Sequence, residues 1–213
     1  NTTGPVVGGA IYASGAGSQL ALLSSELVSN GPAGAYDGSY GGGLYASEVN
    51  VTLDNVAVDG NRVDGYNFVF GAGLLISGGS LQARNCQFRN NYSRGYHESG
   101  VLHLVSLGAL TLSNCVFSGN HPYTWTGAGV VSLLGVGVNG MQIVDCIFTN
   151  NNNAALGNPP GLIYVNLAGG SVAMRNCLLG NNLGAGVYKA STATLGMTNC
   201  LLYAQTNHGV QVT

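Results

Sequence analysis

Charge is what this chain has least of. Acidic and basic residues fill 7% of its 213 positions, against about a quarter in ordinary soluble domains. Eight acids and six bases leave a formal net charge of −2. No basic patch occurs, so the electrostatic footprint of nucleic-acid binding is missing. No run of about 18 apolar residues occurs, so no helical membrane span is read. The five cysteines contain no Cys-x-x-Cys pair, the spacing common in zinc sites, and neither a metal nor a cofactor is expected. Catalytic acids are scarce too. Glycoside hydrolysis needs two carboxyl groups about 5 to 9.5 Å apart. A lyase-type site needs clustered acids for a cation and a base to take the proton. Asp54, Asp59 and Asp64 have no matching acid one repeat away. The best remaining set is His97, Glu98 and His121, which would have to converge in loops. Solvated surface residues are the plainer account of them, and no enzyme is expected.

What the chain does have is a repeat. The stretch Leu110 to Asn120, LTLSNCVFSGN, returns most clearly at Leu81 to Asn91, Met141 to Asn151 and Val172 to Asn182. Looser copies run from Leu20 to Asn30, Val51 to Asn61 and Leu195 to Gln205. A fixed period of about 30 residues is the signature of a solenoid, because one such coil cannot bury its own apolar face. Within a copy, Leu110 and Leu112 alternate with Thr111 and Ser113, the period of a strand. Then parity slips, since Cys115 and Phe117 are apolar as well. The residue between, Asn114, therefore marks a corner. Continuing the alternation places it on the inward side.

Stacking the copies gives columns in which like sits on like. One is Leu22, Leu53, Ala83, Leu112, Ile143, Met174 and Met197. The next is Asn55, Asn85, Asn114, Asp145, Asn176 and Asn199, with Ser24 first. Then come Cys86, Cys115, Cys146, Cys177 and Cys200, and then Leu27, Val58, Phe88, Phe117, Phe148, Leu179 and Leu202. Parallel strands in register, about 4.8 Å apart, produce such columns. A stacked amide can donate one way and accept from the other, so the Asn column is expected to be a buried structural ladder, with Asp145 a member rather than a catalyst. The thiols are expected to pack as small hydrophobes.

A glycine motif opens each coil. It reads Gly8-Gly9-Ala10-Ile11, Gly41-Gly42-Gly43-Leu44, Gly71-Ala72-Gly73-Leu74 and Gly127-Ala128-Gly129-Val130, with looser forms elsewhere. Together with Phe-x-x-Asn at Phe88 to Asn91, Phe117 to Asn120 and Phe148 to Asn151, it resembles the repeats of the polymorphic outer membrane protein family, in the pectin-lyase-like superfamily. The resemblance covers nearly the whole chain. It implies a right-handed parallel β-helix and a surface-displayed adhesin. Right-handedness also agrees with the general bias of parallel crossovers. The expected fold is thus an all-β, right-handed parallel β-helix of about seven coils in one domain, 1–213. The coils fall near 1–30, 31–61, 62–91, 92–120, 121–151, 152–182 and 183–205, with a partial 206–213. No secretory leader opens the chain and its last residues look like an eighth strand, so a segment of a longer protein is expected.

Three sequons occur, at Asn1, Asn50 and Asn91. Asn91 also belongs to a Phe-x-x-Asn motif. The long connections, 31–43, 62–73, 92–100, 121–129 and 152–161, share one place in the coil and are expected to stack as loops on one flank. Their aromatic and polar residues suit sugar stacking or a protein contact: Tyr66, Tyr92, Arg94, Tyr96, His97, Glu98, His121, Tyr123 and Trp125. A second candidate surface is the strand after the glycines. Aligning Ile11, Leu44, Leu74, Val101, Val130, Leu162 and Val187 puts His103 and Lys189 in the same parity, two residues on. Charged side chains seldom face a packed interior. That parity is therefore expected outside, as an aliphatic stripe for a partner. The functional expectation is an extracellular or cell-surface, non-enzymatic structural or adhesive β-helix, packing end to end or laterally on itself or neighbouring domains. The alternative is a carbohydrate-binding or polysaccharide-degrading β-helix that meets surface glycans with its loop flank.

Overall fold

Each coil lays three short strands against those of the next, and the stack of coils makes the sheets. A computed structural model describes residues 6–31, 38–65, 68–97, 100–126, 129–137, 140–153 and 161–213, with only the backbone path at 6, 7, 96, 97 and 124–126. Sheet I has eight parallel strands: Ile11–Ser14, Leu44–Ser47, Leu74–Ser77, Leu102–Val105, Val131–Val136, Gly161–Ala168, Ala185–Lys189 and Val210–Val212. Sheet II has seven: Gln19–Leu23, Asn50–Asp54, Ser80–Arg84, Ala109–Ser113, Met141–Val144, Ser171–Arg175 and Thr194–Thr198. Sheet III has seven three-residue strands: Glu26–Val28, Ala57–Asp59, Gln87–Arg89, Val116–Ser118, Ile147–Thr149, Leu178–Gly180 and Leu201–Tyr203.

The register of sheets II and III follows the sequence columns, with Leu53 beside Ala83, Ala83 beside Leu112 and Phe117 beside Phe148. Phe88, Phe117 and Phe148 stack with centroids 4.6 Å apart and planes within 4°, so the ring column keeps the strand spacing. Leu53, Leu74, Leu112, Ile143 and Met174 beside them are fully buried. Burying one such side chain contributes roughly 1.5–3 kcal/mol. Cys86, Cys115, Cys146 and Cys177 are free and buried in this core, and Cys200 is partly exposed. Each thiol donates to the carbonyl two residues back, as Cys86 does to Arg84 at 3.1 Å. Burial raises the pKa of Cys200.

The Asn column at the corner is not buried. Asn55, Asn85, Asn114, Asp145, Asn176 and Asn199 are exposed, in left-handed backbone with φ between 50 and 55°. Asn tolerates that region better than most residues. The left-handed turn absorbs the parity slip, so Leu112 and Cys115 both face inward while Asn114 is turned out. The column still bonds, from Asn114 Nδ2 to Asn85 Oδ1 at 2.8 Å and from Asn176 Nδ2 to Asp145 Oδ1 at 2.9 Å. Asn85, however, donates to Asp54.

The buried ladder is the last Asn of each copy: Asn61, Asn91, Asn120, Asn151 and Asn182, all at most 1% exposed. It follows a second left-handed corner, with Gly60, Asn90, Gly119, Asn150 and Asn181 at φ 52–64°. Asn120 shows the pattern. Its Nδ2 donates to Asn151 Oδ1 at 3.0 Å and to the Phe88 carbonyl at 2.8 Å. Its Oδ1 accepts from both the N–H and the Nδ2 of Asn91, at 3.1 and 3.0 Å. Every amide proton and the amide oxygen are thereby satisfied away from water.

The connections expected as loops carry strands. Arg62–Asp64, Tyr92–His97 and His121–Thr126 form sheet IV, and Val6–Val7, Ser39–Tyr40 and Val69–Phe70 form sheet V. Before sheet I, Gly41 adopts φ 63°, where a Cβ would lie 2.5 Å from the Leu44 carbonyl oxygen. This explains a glycine at the start of the motif.

Two predictions follow from this packing. Asn120→Leu should lose about 3–6 kcal/mol of stability, since it strands two donors of Asn91 and the Phe88 carbonyl. Asn114→Gly, which keeps the corner backbone, should lose no more than about 1 kcal/mol. Urea midpoints of the two variants test this, and equal losses would contradict the assignment of the buried ladder. In native protein, a thiol reagent should modify Cys200 first and leave the four buried thiols until the chain is unfolded. Fast modification of all five would show that the core is open.

Candidate functional site

Sheet IV brings part of the predicted flank together. In register, Tyr92 lies between Arg62 and His121, and Arg94 between Asp64 and Tyr123. The Arg62 guanidinium sits 4.5 Å over the Tyr92 ring. His121 meets Tyr92 edge-on at 5.4 Å and Tyr123 at 6.1 Å. Burial lowers the His121 pKa. Tyr66 and Glu98 lie outside the described residues, and the side chains of Tyr96, His97 and Trp125 do as well. The backbone still bears on the His97, Glu98 and His121 set. His97 pairs with Thr126 while His121 pairs with Tyr92. The two histidines are therefore five positions apart along sheet IV, roughly 16 Å at strand rise, and do not converge.

The acids nearby are occupied. Asp54 pairs with Arg84 at 2.8 Å, Asp59 with Arg89 at 3.1 Å, and Asp64 with Arg94 at 3.2 Å and Arg62 at 2.9 Å. The Arg84 hydrogen bond holds the Asp54 carboxyl below its usual range. Among the described residues no cluster of three His, Cys, Asp or Glu could hold a metal.

Two predicted surfaces are corrected. Leu44, Leu74, Val101, Val130, Leu162 and Val187 are all 0% exposed, and Ile11 is half-buried. They are core, not a partner stripe. The sequence alignment was one residue off in three coils, because Leu74 pairs with Leu102, Leu102 with Val131 and Val131 with Ile163. A shift of one residue exchanges the two faces of a strand. Asn91 is fully buried with both amide hydrogens engaged, so its sequon is not available in the folded chain. Asn50 is exposed and accepts from Ser80. Asn1 lies outside the described residues.

The corrected register reveals a surface that sequence reasoning missed. The outward column of sheet I is Tyr12, Tyr45, Leu75, His103, Ser132, Tyr164, Tyr188 and Gln211, of which Leu75, His103, Ser132 and Tyr164 are covered and the rest stand at least partly in solvent. Tyr40 and Phe70 of sheet V stack on each other at 5.5 Å and 8° beside it. Tyr40 reaches Tyr45 at 6.4 Å, Tyr45 reaches Tyr12 at 5.4 Å, and Phe70 lies 4.7 Å from His103. Together they border a cavity of about 350 Å³ lined by Tyr40, Tyr45, Phe70, Leu75, Ser77, His103, Val105 and Leu134. His103 is 2% exposed and its Nδ1 has no hydrogen-bond partner among the described residues. Burial pushes its pKa down to about 3, so it is neutral at ordinary pH. The available signal was the tyrosine parity of Tyr12 and Tyr45, but Tyr40 and Phe70 come from a connection whose pairing the repeat does not reveal.

Stacked in-register coils with buried amide and ring columns define a parallel β-solenoid. The family model described as right handed beta helix region matches residues 72–213, and the chain belongs to that family. No curated protein and no solved structure matches the chain.

His103 has a consequence for stability. Between pH 6.5, its ordinary value, and about 3, the unfolded chain binds a proton that the native chain does not. Stability contributed by this group therefore falls as pH drops through that window, by about 1.4 kcal/mol per pH unit. His103→Leu should show a shallower fall between pH 6 and pH 4 than the parent, measured by urea unfolding at each pH. Parallel curves would mean that His103 is not buried as a neutral imidazole.

Proposed function

We propose that this chain is an extracellular, non-enzymatic β-helix that adheres through the aromatic outer face of sheet I. The observation that carries the reading is the run of Tyr12, Tyr45, Tyr40 and Phe70, continuous by ring contacts and presented on a stiff stack of coils. Tyr12 is 56% exposed. Aromatic residues supply contact area at low conformational cost and are enriched where proteins meet partners. The resemblance of the Gly-Gly-Ala and Phe-x-x-Asn motifs to polymorphic outer membrane protein repeats supports surface display. The exposed Asn50 side chain leaves its sequon open to glycosylation on a secretory route.

Two further observations favour adhesion over catalysis. Asp54, Asp59 and Asp64 are each held by arginine, which leaves none of them arranged as a pair across a scissile bond. The outer column of sheet III is apolar in its second half, through Val116, Ile147, Leu178 and Leu201. Ile147 is 38% and Leu201 59% exposed. Such a stripe supports lateral packing on another copy or a neighbouring domain.

Binding of the purified chain to immobilised cells, to glycan arrays and to itself tests the reading, beside an assay for bond cleavage in neutral and acidic polysaccharides. Saturable adhesion should appear without turnover. The double variant Tyr12→Ala and Tyr188→Ser should weaken it at least about tenfold, the loss of roughly 1.4 kcal/mol. Glycan-dependent adhesion would make the partner a surface sugar. Turnover that persists through repurification, or adhesion indifferent to the double variant, would overturn the proposal.

A further inference from the structure

Sheet III changes character halfway along the stack. The outward residues of its first three strands include Glu26, Asp59 and Arg89. Its last four strands hold no charged residue. Their leading outward column is Val116, Ile147, Leu178 and Leu201, in register. Ile147 is 38% and Leu201 59% exposed, while Val116 and Leu178 are half-buried. The trailing column beside it is low. It carries Ser118, Thr149 and Gly180, and the Tyr203 ring lies over Gly180, where a Cβ would come within 2.3 Å of it. Nothing there holds a facing sheet beyond the roughly 10 Å that two layers of aliphatic side chains fill.

The charge pattern decides what can cover this face. Two copies packed in parallel would set each strand of sheet III against the same strand of its partner. Glu26, Asp59 and Arg89 would then lose water together with the aliphatic residues, and desolvating charge can cost more than its pairing returns. An antiparallel pair avoids this. A two-fold axis between the strands Ile147–Thr149 and Leu178–Gly180 overlaps only the four uncharged strands. It places Ile147 on the partner's Leu178 and Leu201 on the partner's Val116. The more exposed side chain meets the less exposed one at every level, which gives the self-complementary contact of an isologous interface. Asp145, at the corner bordering the face, comes level with the partner's Asn176 and not with another carboxylate.

We infer that sheet III is the interface of an antiparallel, two-fold dimer of this chain, closed over its four uncharged strands. The contact leaves sheet I free. Tyr12 and Tyr45 lie on the first two strands of sheet I, whereas the contact uses the last four of sheet III. The dimer therefore carries an aromatic group toward each end, the two roughly 40 Å apart along the stack at parallel-strand spacing. The axis runs along the sheet III strands, so both copies turn the same flank to the same side. Two such groups on one rigid body bind a surface with avidity, a consequence that rests on the adhesive reading.

Sedimentation equilibrium of the intact chain from micromolar to millimolar concentration, with small-angle scattering at the upper end, tests the dimer. Four short strands make a small interface, so a dissociation constant of about 10–100 μM is expected. The dimer should be three coils, roughly 14 Å, longer than the monomer. Ile147→Lys should weaken it at least about tenfold and leave the urea midpoint unchanged. If that variant does not fold, Leu201→Lys takes its place. Ala57→Lys, on the polar half of the same face, should leave the dimer as it is. A chain that stays monomeric throughout, a dimer indifferent to both Ile147→Lys and Leu201→Lys, or a dimer no longer than the monomer that Ala57→Lys disrupts would overturn the assignment. Binding of a monomer to phosphatidylcholine vesicles through Ile147 would also overturn it, with lipid as the occupant. On a dense layer of target cells, Ile147→Lys should be retained at least about tenfold more weakly than the parent. Adhesion that needs Tyr12 and Tyr188 in a chain that never dimerises would overturn the dimer alone. A dimer that forms while adhesion ignores those tyrosines would remove the broader reading alone.

Discussion

The structure depends on one arrangement, an amide in every coil bonded to the amides above and below it. Asn61, Asn91, Asn120 and Asn151 each engage both Nδ2 hydrogens and the side-chain oxygen inside the core, and Asn182 ends the ladder by accepting from Asn151 and donating to the Phe148 carbonyl. An apolar residue packs in many positions, but a buried amide is satisfied only in register. The ladder therefore fixes how each coil sits on the next. The phenylalanine stack, three residues earlier in the chain, adds contact area at the same spacing.

Once the coils are locked, the outer faces acquire their character from columns. Half of the acids and bases gather where Asp54, Asp59 and Asp64 meet Arg84, Arg89 and Arg94 one turn on, with Arg62 beside Asp64. Such exposed pairs contribute little each. Sheet I is different. Its outward column carries a tyrosine pair toward each end, Tyr12 with Tyr45 and Tyr164 with Tyr188, and sheet V leans Tyr40 and Phe70 beside the first pair. His103, in the same column, is covered and stays neutral.

Much of the architecture was legible because the period is strict in sheets II and III. The columns from Leu53 to Met174 and from Phe88 to Leu179 stand in the structure as the repeat aligns them. The errors have local causes. Alternation alone sends Asn114 inward, but a left-handed corner turns it out and leaves burial to Asn120. In sheet I the glycine motif loosens at Gly100 and Gly161, and aligning on it displaced Val101, Val130 and Leu162 by one position. That displacement wrongly put His103 in the buried parity, whereas Lys189 does share it, beside Val165, and donates to the Ser191 carbonyl at the end of its strand. Sheet IV was hidden since Arg62–Asp64 and His121–Thr126 lack apolar alternation. The cavity was not legible, because its aromatic wall joins Tyr40 and Phe70 to His103 across more than one coil.

The in-register columns also alter what counts as a neighbour. For Phe117 the contacts that matter are Phe88 and Phe148, 29 and 31 positions away in the chain, more than the residues bonded on either side. A change of ring size at one of them alters the space available to the other two. Compensating substitutions should therefore recur at a lag of one coil, so that the history of this sequence is written down its columns more than along its length.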